Sequence, residues 1–272
     1  MELESWERMR LSPGEEDLVW ELFHENSKTD RFNPPKSSQA IVESMQEMYE
    51  SLPFDGYPKI KLPELVSLKS AFEDVLATRA TARSLRPYVL TLAQLGTLLH
   101  HSYGVTRDNS GTNFPRSFRV VPSGGALYPL EIFFHSMHVE GLSSGLYHYN
   151  PVNNCLSLLQ EKDQTAKISE ALVQKSLAYD TSLILFITAI FDRSTFKYGD
   201  RGYRFSLLEA GHVAQNITLV ANALGLGCIN IGGFYDRQVD ELLNLDGLTH
   251  STIYLAGIGK TATEANVTNE WE

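Results

Sequence analysis

The chain has 272 residues, which is enough for one large domain with or without an appendage. Its hydrophobic content of 43% and charged content of 21% are those of a soluble globular protein. A net charge of -10 argues against nucleic acid as a general partner, and the longest apolar run, at residues 183–191, is too short to cross a membrane. The two cysteines, Cys155 and Cys228, show no metal or disulfide spacing, and the acidic start is not a signal peptide, so we expect a reduced, cytoplasmic protein.

The first 65 residues differ from the rest and predict an N-terminal helical extension. Helices are expected at residues 13–23, where acidic residues follow a proline, and at residues 37–49. Three prolines between residues 53 and 63 then indicate an extended connector. We expect residues 1–65 to dock a partner and residues 66–272 to form the main domain.

The main domain interleaves helices with strands. Apolar periodicity and end signals predict helices at residues 71–78, 91–101, 167–178 and 205–224, strands at residues 130–139, 145–151, 156–159, 182–191 and 253–258, and a loop at residues 105–117. The strands between residues 130 and 160 have hairpin spacing. This spacing favours an α+β fold over a wholly parallel sheet.

Three polar residues alternate with alanine just before the first predicted strands. In an extended segment Arg79, Thr81 and Arg83 share one face, and two guanidinium groups with a hydroxyl suit a phosphate. A solvated basic helix end explains the same pattern and, on spacing alone, is the stronger interpretation.

A glycine turn precedes the strand predicted at residue 130. Ser123 and Gly124 can bring backbone N–H groups close to a planar or anionic ligand, because glycine has no Cβ. Tyr128 would then line the edge of that ligand. A simple turn explains the pattern equally well.

The segment FKYGDRGYRF places Lys197 beside Tyr198 ahead of a long helix, as a candidate proton-transfer pair. The pKa of free lysine is about 10.4, so a lysine base needs a lowered pKa to act at neutral pH. Partial burial and the neighbouring Arg193, Arg201 and Arg204 are expected to lower it. A charged surface loop is the competing explanation.

Two further features are weaker. Gln215 and Asn216 on the long helix predict either a polar edge facing a ligand or, as the stronger interpretation, buried polar contacts. The Gly232-Gly233 turn could deliver an N–H to a ligand ring. No histidine or cysteine spacing indicates a metal site.

In combination these motifs resemble the SagB/ThcOx-type azoline oxidases of the nitroreductase superfamily. The resemblance covers about residues 70–260 and rests on the order of Arg79-x-Thr81-x-Arg83, residues 122–129, residues 196–204, Glu209-Ala-Gly211, Gln215-Asn216 and Gly225-Leu-Gly227. It implies a nitroreductase-like α+β fold, with a central, mostly antiparallel sheet flanked by helices. It also implies flavin mononucleotide (FMN) as cofactor and a homodimer with the flavin at the subunit interface.

The same resemblance implies a role for each matching residue. The FMN phosphate and ribityl chain would be held by Arg79, Thr81 and Arg83, with Lys260 as the available late phosphate contact. The pyrimidine edge would lie along Pro122, Ser123 and Gly124, flavin N5 near Gly232 and Gly233, and Gln215 or Asn216 would reach the flavin from the helix. Lys197 and Tyr198 match the catalytic pair of azoline oxidases, which ordinary nitroreductases lack.

The favoured hypothesis is an FMN-dependent dehydrogenase that oxidises thiazoline or oxazoline rings in a ribosomally made precursor peptide to thiazoles or oxazoles. Such an enzyme would work in a complex with cyclodehydratase subunits, which make the azoline rings. Two alternatives remain. One is an NAD(P)H-dependent nitro- or quinone reductase, and the other is a flavin-free scaffold subunit that presents the peptide.

Overall fold

The computed structural model describes residues 19–29, 37–109, 111 and 116–262. The strands in these ranges are β1 (Lys59–Lys61), β2 (Leu85–Arg86), β3 (Val105–Arg107), β4 (Phe118–Arg119), β5 (Leu130–Ser136), β6 (Gly145–Asn150), β7 (Cys155–Gln160), β8 (Leu183–Ile190), β9 (Gly227–Ile231) and β10 (His250–Thr261). Eight of these described strands form one sheet in the order β1-β7-β6-β5-β8-β10-β2, with β9 paired to β10. Its pairings are all antiparallel, and β3 pairs with β4 in a separate small ladder.

The helices in the same ranges are α1 (Val19–Asn26), α2 (Ser38–Glu47), α3 (Phe72–Thr78), α4 (Leu92–Tyr103), α5 (Thr165–Ala171), α6 (Leu177–Asp180), α7 (Asp192–Tyr198), α8 (Arg201–Ala223) and α9 (Asp236–Leu243). A short 3₁₀ turn, Gly124–Ala126, lies just before β5. None of these described helices combines the length and the apolar character that a membrane span requires.

The sheet separates two apolar cores. Its central strands are buried on both faces, and successive side chains alternate between the faces, as the strand period of two requires. In β8, Leu183, Leu185 and Ile187 belong to the core under α4 and α8, whereas Ile184 and Phe186 belong to the core under α5, α6 and α9. The antiparallel α+β architecture predicted from the sequence is therefore confirmed.

Local signals located several elements well. The helix predicted at residues 91–101 is α4, and Thr91 caps it as expected. The Thr91 side chain accepts from Gln94 N at 3.1 Å, while the Gln94 side chain accepts from Thr91 N at 3.0 Å. This reciprocal capping box satisfies two backbone donors that the helix itself leaves unpaired. The first part of the helix predicted at residues 13–23 lies outside the described residues.

Other boundaries were wrong. The single helix predicted at residues 167–178 is two helices, α5 and α6, because the chain becomes extended at Leu172. There Leu172 bridges to Phe234, and the Val173 N–H donates to Gly233 O at 2.9 Å. This long-range pairing overrides the local helical pattern. The sequence analysis also missed β9, α9 and β3, the last of which opens the predicted loop.

Part of the N-terminal segment is built into the main sheet. β1 pairs with β7, and the Leu62 side chain lies in the core under α4 and α8. Upstream, the Ser51 hydroxyl and the Leu52 N–H both donate to the buried carboxylate of Glu131, at 3.1 and 2.9 Å. The last part of residues 1–65 therefore packs as one body with the strands that follow it, while its docking role stays a prediction.

Candidate active site

The Lys197 and Tyr198 side chains lie ahead of the long helix α8, as predicted, but at the C-terminal end of a separate helix, α7, which the sequence analysis missed. Gly199 ends α7 at a φ of 56° and donates its N–H to Thr195 O at 2.8 Å. Glycine adopts this left-handed conformation without a steric penalty, so it lets the chain turn sharply into α8. The pair therefore occupies a corner between two helices.

The glycine turn at residues 124–126 lies directly against this pair. A Cβ atom placed on Gly125 would lie 2.7 Å from both Lys197 Nζ and Tyr198 Oη. Gly125 also has a φ of 67°, which disfavours any other residue. The absence of a side chain at Gly125 thus allows both functional groups to meet the backbone of the turn.

Aromatic contacts complete the cluster. Lys197 Nζ lies 5.1 Å from the centroid of the Tyr198 ring, which itself meets the Phe205 ring edge to face at 4.9 Å. A Cβ on Gly124 would lie 3.1 Å from the Phe205 ring. The two turn glycines, the Lys-Tyr pair and the first turns of α8 therefore form one packed unit, which we call the catalytic cluster.

The three arginines expected beside Lys197 have different surroundings. Arg193 is buried and pairs with Glu131 at 2.7 Å, and Arg204 Nε donates to the Ser27 hydroxyl at 2.8 Å. Arg201 begins α8, two residues beyond the corner. Two of the three positive charges are therefore directed to partners outside the catalytic cluster.

Glu131 organises the buried side of α7. Its carboxylate meets Arg193 from α7 and His148 from β6, the latter at 2.6 Å. Burial alone would raise the pKa of Glu131, but the charge of Arg193 and the hydrogen bond with His148 hold that pKa well below its usual range. The ion pair ties the helix that carries the Lys-Tyr pair to the centre of the sheet.

A second buried carboxyl, Glu209 on α8, lies behind the glycine turn. The Tyr103 hydroxyl donates to it at 2.9 Å, and the Ser123 hydroxyl also interacts with it electrostatically. Burial raises the pKa of Glu209 to about 7, although its interactions with these two hydroxyls and with the charge of Arg119 act in the opposite direction. Ser123 Oγ also accepts from Tyr128 N at 2.9 Å, so the Ser123 side chain is engaged inside the protein.

An open cavity of about 610 Å³ lies near the opposite end of α8. We call it the clamp cavity. Its lining contains Thr81, Arg83 and Ser84 from the segment after α3, and Thr218 and Asn222 from α8. One guanidinium group, three hydroxyls and an amide are a donor set that fits a phosphate.

Backbone pairing holds the clamp segment in place. The Ala82 N–H donates to Cys228 O at 2.9 Å, beside β9. Arg79, the first residue of the predicted trio, is outside the lining and ends α3 by donating its N–H to Val75 O at 3.0 Å. The structure therefore brings Thr81 and Arg83 to a common cavity without Arg79.

The remaining predicted site residues belong neither to the catalytic cluster nor to the lining of the clamp cavity. Lys260 Nζ donates to Gly225 O at 2.6 Å and so provides a hydrogen-bond donor for a backbone carbonyl just beyond the C-terminus of α8. Gln215 is exposed and Asn216 half-buried midway along α8, and Gly232 and Gly233 are exposed after β9. Pro122 is exposed at the start of the glycine turn. Contacts of these residues with a cofactor stay predictions.

Within a single chain, the clamp cavity and the catalytic cluster lie far apart along α8. Phe205 belongs to the cluster and Asn222 lines the cavity, and they are 17 positions apart on α8. At 1.5 Å per residue, this corresponds to about 25 Å along the helix axis. The predicted site residues thus form two groups.

Several contributors were missed by the sequence analysis. Thr218 and Asn222 are four residues apart, so they share a helix face, and this polar pair in an apolar stretch was an available signal. The burial of Tyr103 and Arg119 around Glu209 has no local signal, because these residues come from distant elements. Among the described residues, no group of histidine, cysteine and acidic side chains could hold a metal ion.

The fold and the two residue groups define a class of protein. A model of the Nitroreductase family matches residues 76–260. The chain therefore belongs to the nitroreductase family.

Individual relatives agree with this assignment. MJ1384 of Methanocaldococcus jannaschii, named as a candidate nitroreductase, is 36% identical over 187 residues, which cover 69% of this chain and 90% of that protein. The microcin B17-processing protein McbC of Escherichia coli is 34% identical over 52% of this chain and 54% of its own length. The trifolitoxin-processing protein TfxB of Rhizobium leguminosarum bv. trifolii is 27% identical over 72% and 55%. The chain spans about half the length of these two processing proteins.

Solved structures share the fold. A candidate nitroreductase from Anabaena variabilis superposes with a TM-score of 0.72 at 24% identity, over 93% of this chain and 49% of that one. A chain of the E. coli microcin synthetase McbBCD complex, with truncated pro-MccB17 bound, gives a TM-score of 0.56 at 24% identity, over 96% and 87%.

Proposed function

We propose that this chain is an FMN-dependent dehydrogenase that oxidises thiazoline or oxazoline rings in a ribosomally made peptide to thiazoles or oxazoles. The observation that carries the proposal is the catalytic cluster, in which Lys197 Nζ and Tyr198 Oη both reach the backbone of the Gly125 turn. A primary amine and a phenol on one wall suit proton removal from a substrate. The processing roles named for McbC and TfxB support a peptide substrate.

The clamp cavity fits the phosphate of FMN. The Arg83 guanidinium would pair with the phosphate, while the Thr81 and Ser84 hydroxyls and the Asn222 amide would donate further hydrogen bonds. Arg79 and Lys260 are secondary candidates, because each has another contact at its backbone or side chain. When bound, FMN supplies the acceptor for the hydride that leaves the azoline ring.

The protein's own task is proton removal. Oxidation of an azoline to an azole breaks two C–H bonds, one as a proton and one as a hydride. The Lys197 amine takes the proton, for which it must be neutral, and the Tyr198 hydroxyl shares that proton or holds the substrate carbonyl. Both side chains are half-buried, with Lys197 Nζ near the Tyr198 ring and that ring against Phe205, which limits access of water to the amine. Aromatisation of the ring then favours the product.

A second copy of the chain would join the two residue groups into one site. FMN, a three-ring system on a five-carbon chain, is shorter than the separation of about 25 Å along α8. In the proposed dimer, the clamp cavity of one copy would face the catalytic cluster of the other. α8 exposes Leu207 by 42% and Leu208 by 60%, and Gly211, His212 and Gln215 are also exposed, which provides a surface for a homodimer.

The proposed substrate requires other proteins. Azoline rings arise by cyclisation and dehydration of cysteine, serine or threonine residues in a precursor peptide, so a cyclodehydratase must act first. The fold shared with a chain of the McbBCD synthetase complex, which holds truncated pro-MccB17, supports a complex with cyclodehydratase subunits. The N-terminal segment, whose α1 exposes Val19, Trp20 and Leu22, is the surface we propose for this contact.

The test is direct oxidation of an azoline peptide by the purified, FMN-loaded protein in air. We expect each azoline ring to lose two hydrogens by mass spectrometry, and we expect an unchanged rate when Lys167, an exposed lysine on α5, is replaced by alanine. An unchanged peptide with fully loaded wild-type protein would reject the proposed chemistry.

The second candidate is an NAD(P)H-dependent nitro- or quinone reductase. The long match to MJ1384, over 90% of that protein, favours it. Under this alternative, NADPH alone bleaches the flavin absorbance within the turnover time, and a quinone restores it. Under the azoline proposal, NADPH has little effect and the peptide bleaches the flavin when oxygen is removed.

A further inference from the structure

Glu209 is a buried acid that the proposed chemistry does not use. It is 3% exposed, and none of the ion pairs among the described residues includes it. Glu131, the comparable acid on β5, is 1% exposed but forms an ion pair with Arg193 and a close contact with the His148 ring. An acid buried without such a partner is costly to ionise.

A short chain of contacts joins Glu209 to the catalytic pair. The Ser123 hydroxyl interacts electrostatically with the Glu209 carboxyl, and Ser123 Oγ accepts from the Tyr128 N–H at 2.9 Å. Ser123 is followed by Gly124, packed on Phe205, and by Gly125, packed on Lys197 and Tyr198. The neighbour of Glu209 in the turn is therefore only two residues from Gly125, on which the pair rests.

The Tyr103 hydroxyl can donate its hydrogen to either of two acceptors, so this network has two possible hydrogen-bond arrangements. It lies 2.9 Å from Glu209 Oε1 and 3.2 Å from Leu130 O, but it has one hydrogen to donate. When Glu209 is ionised, the hydroxyls of Tyr103 and Ser123 can both donate to the carboxylate. When Glu209 is protonated, its own O–H can donate to one of them, and the Tyr103 hydrogen is free for Leu130 O.

We propose that Glu209 is a positioning residue for the Lys197-Tyr198 pair, and that its protonation state selects which hydrogen bonds hold the Ser123–Gly125 turn. For its effect on catalysis, this inference rests on the proposed function. The geometry of the turn is independent of that function.

The surroundings of Glu209 allow both protonation states near neutral pH. The groups that face it are Tyr103 from α4, Ser123 and Tyr128 from the turn region, Arg119 from β4 and Arg193 from α7. The Arg119 guanidinium lies over the Tyr103 and Tyr128 rings, at 4.3 and 4.8 Å from their centroids, and Arg193 is paired with Glu131. Burial raises the pKa of Glu209 to about 7, and the surrounding donors and arginines keep it from rising further.

Glu209→Gln tests the proposal, because glutamine keeps the shape and an acceptor oxygen but cannot ionise. Since the folded pKa of Glu209 is raised, its stabilising contribution is present below the pKa of the unfolded chain and is lost as pH rises through about 7. The Tm of Glu209→Gln relative to wild type should therefore rise by several degrees between about pH 5 and about pH 8. Glu170→Gln, on the exposed face of α5, should give a curve parallel to wild type.

Acylation of Lys197 provides a readout of position that needs no activity. In wild type, labelling of Lys197 relative to Lys167, followed by peptide mass spectrometry, should change in a step near the pKa of Glu209. The step should be absent in Glu209→Gln. It should also be absent in Ser123→Ala, which keeps the acid but cuts its link to the turn, and which serves if the glutamine variant does not fold.

The catalytic readout is the pH profile of azoline oxidation. Glu209→Gln should lose one ionisation near neutral pH from kcat, with KM changed less than twofold. Parallel Tm curves, or a labelling step that persists in both variants, would overturn the proposal. If the wild-type protein does not oxidise azolines, the proposed function fails, while the Tm and labelling measurements still decide the role of Glu209.

Discussion

The two ends of α8 differ in how they are built. At the N-terminal end, the Lys197-Tyr198 pair is held by close contacts with Gly125 and Phe205, and two buried carboxyls lie behind it. At the C-terminal end, Thr81 and Arg83 are exposed around an open cavity of about 610 Å³. The contrast suggests a division of roles, since reacting groups need a fixed geometry before substrate arrives, whereas a phosphate can itself order the side chains that bind it.

The largest expected effect is on the rate of azoline oxidation, through the Lys197-Tyr198 pair at the N-terminal end of α8. Replacing Lys197 by alanine removes the proposed base, and general base catalysis contributes about 10²- to 10⁴-fold. We therefore expect azoline oxidation to fall by that factor while FMN binding is unchanged. Lys167→Ala is the matched control, because it removes an exposed lysine on the other face of the sheet. Wild-type turnover in Lys197→Ala would remove the pair from the mechanism.

Substitutions in the clamp cavity, at the C-terminal end of α8, should change the affinity for FMN. Arg83→Ala removes a charge-assisted hydrogen bond to the phosphate, worth about 1.5–3 kcal/mol, so the Kd for FMN should rise about 10- to 150-fold. Flavin fluorescence during titration measures this Kd. Arg237→Ala, on exposed α9, should bind FMN like wild type. Equal affinity of the two variants would show that the phosphate is held elsewhere.

A smaller effect, on stability and turnover, distinguishes backbone strain at Gly125 from contact between Gly125 and the Lys197-Tyr198 pair. Gly125→Ala and Gly141→Ala both place a side chain at a positive φ, of 67° and 79°, and each should cost about 1–2 kcal/mol of stability. A Cβ on Gly125 meets Lys197 and Tyr198, whereas nothing lies within 4 Å of a Cβ on Gly141. Similar losses of Tm are expected in thermal unfolding, with reduced azoline turnover in Gly125→Ala alone. Equal turnover in the two variants would mean that contact with the pair is unimportant.

The sequence predicted those parts of the fold whose signals are local. The capping box at Thr91 and Gln94 and the long apolar face of α8 are readable in the chain. So is the buried run that forms β8. β9 is short and begins at a glycine, and it is a strand because β10 offers it a partner. Its register could not be derived from its own residues.

The candidate site divides in the same way. The residue types at Arg83 and Lys197 were identified from spacing and from the family resemblance. Their placement at opposite ends of α8 was not, because it depends on how the segments around residues 80 and 125 fold back onto that helix. The burial of Glu209 also arises from side chains that three separate elements contribute.

Complementation between variants tests most directly whether the two ends of α8 serve one site built from two copies. Lys197→Ala and Arg83→Ala are co-expressed with different tags, isolated as the mixed dimer and assayed at an FMN concentration that loads the wild type but not Arg83→Ala. The mixed dimer should regain azoline turnover, because one of its two sites combines the intact cluster of one copy with the intact clamp of the other. A mixed dimer as inactive as either variant alone would contradict the account, since each site would then draw both groups from a single chain.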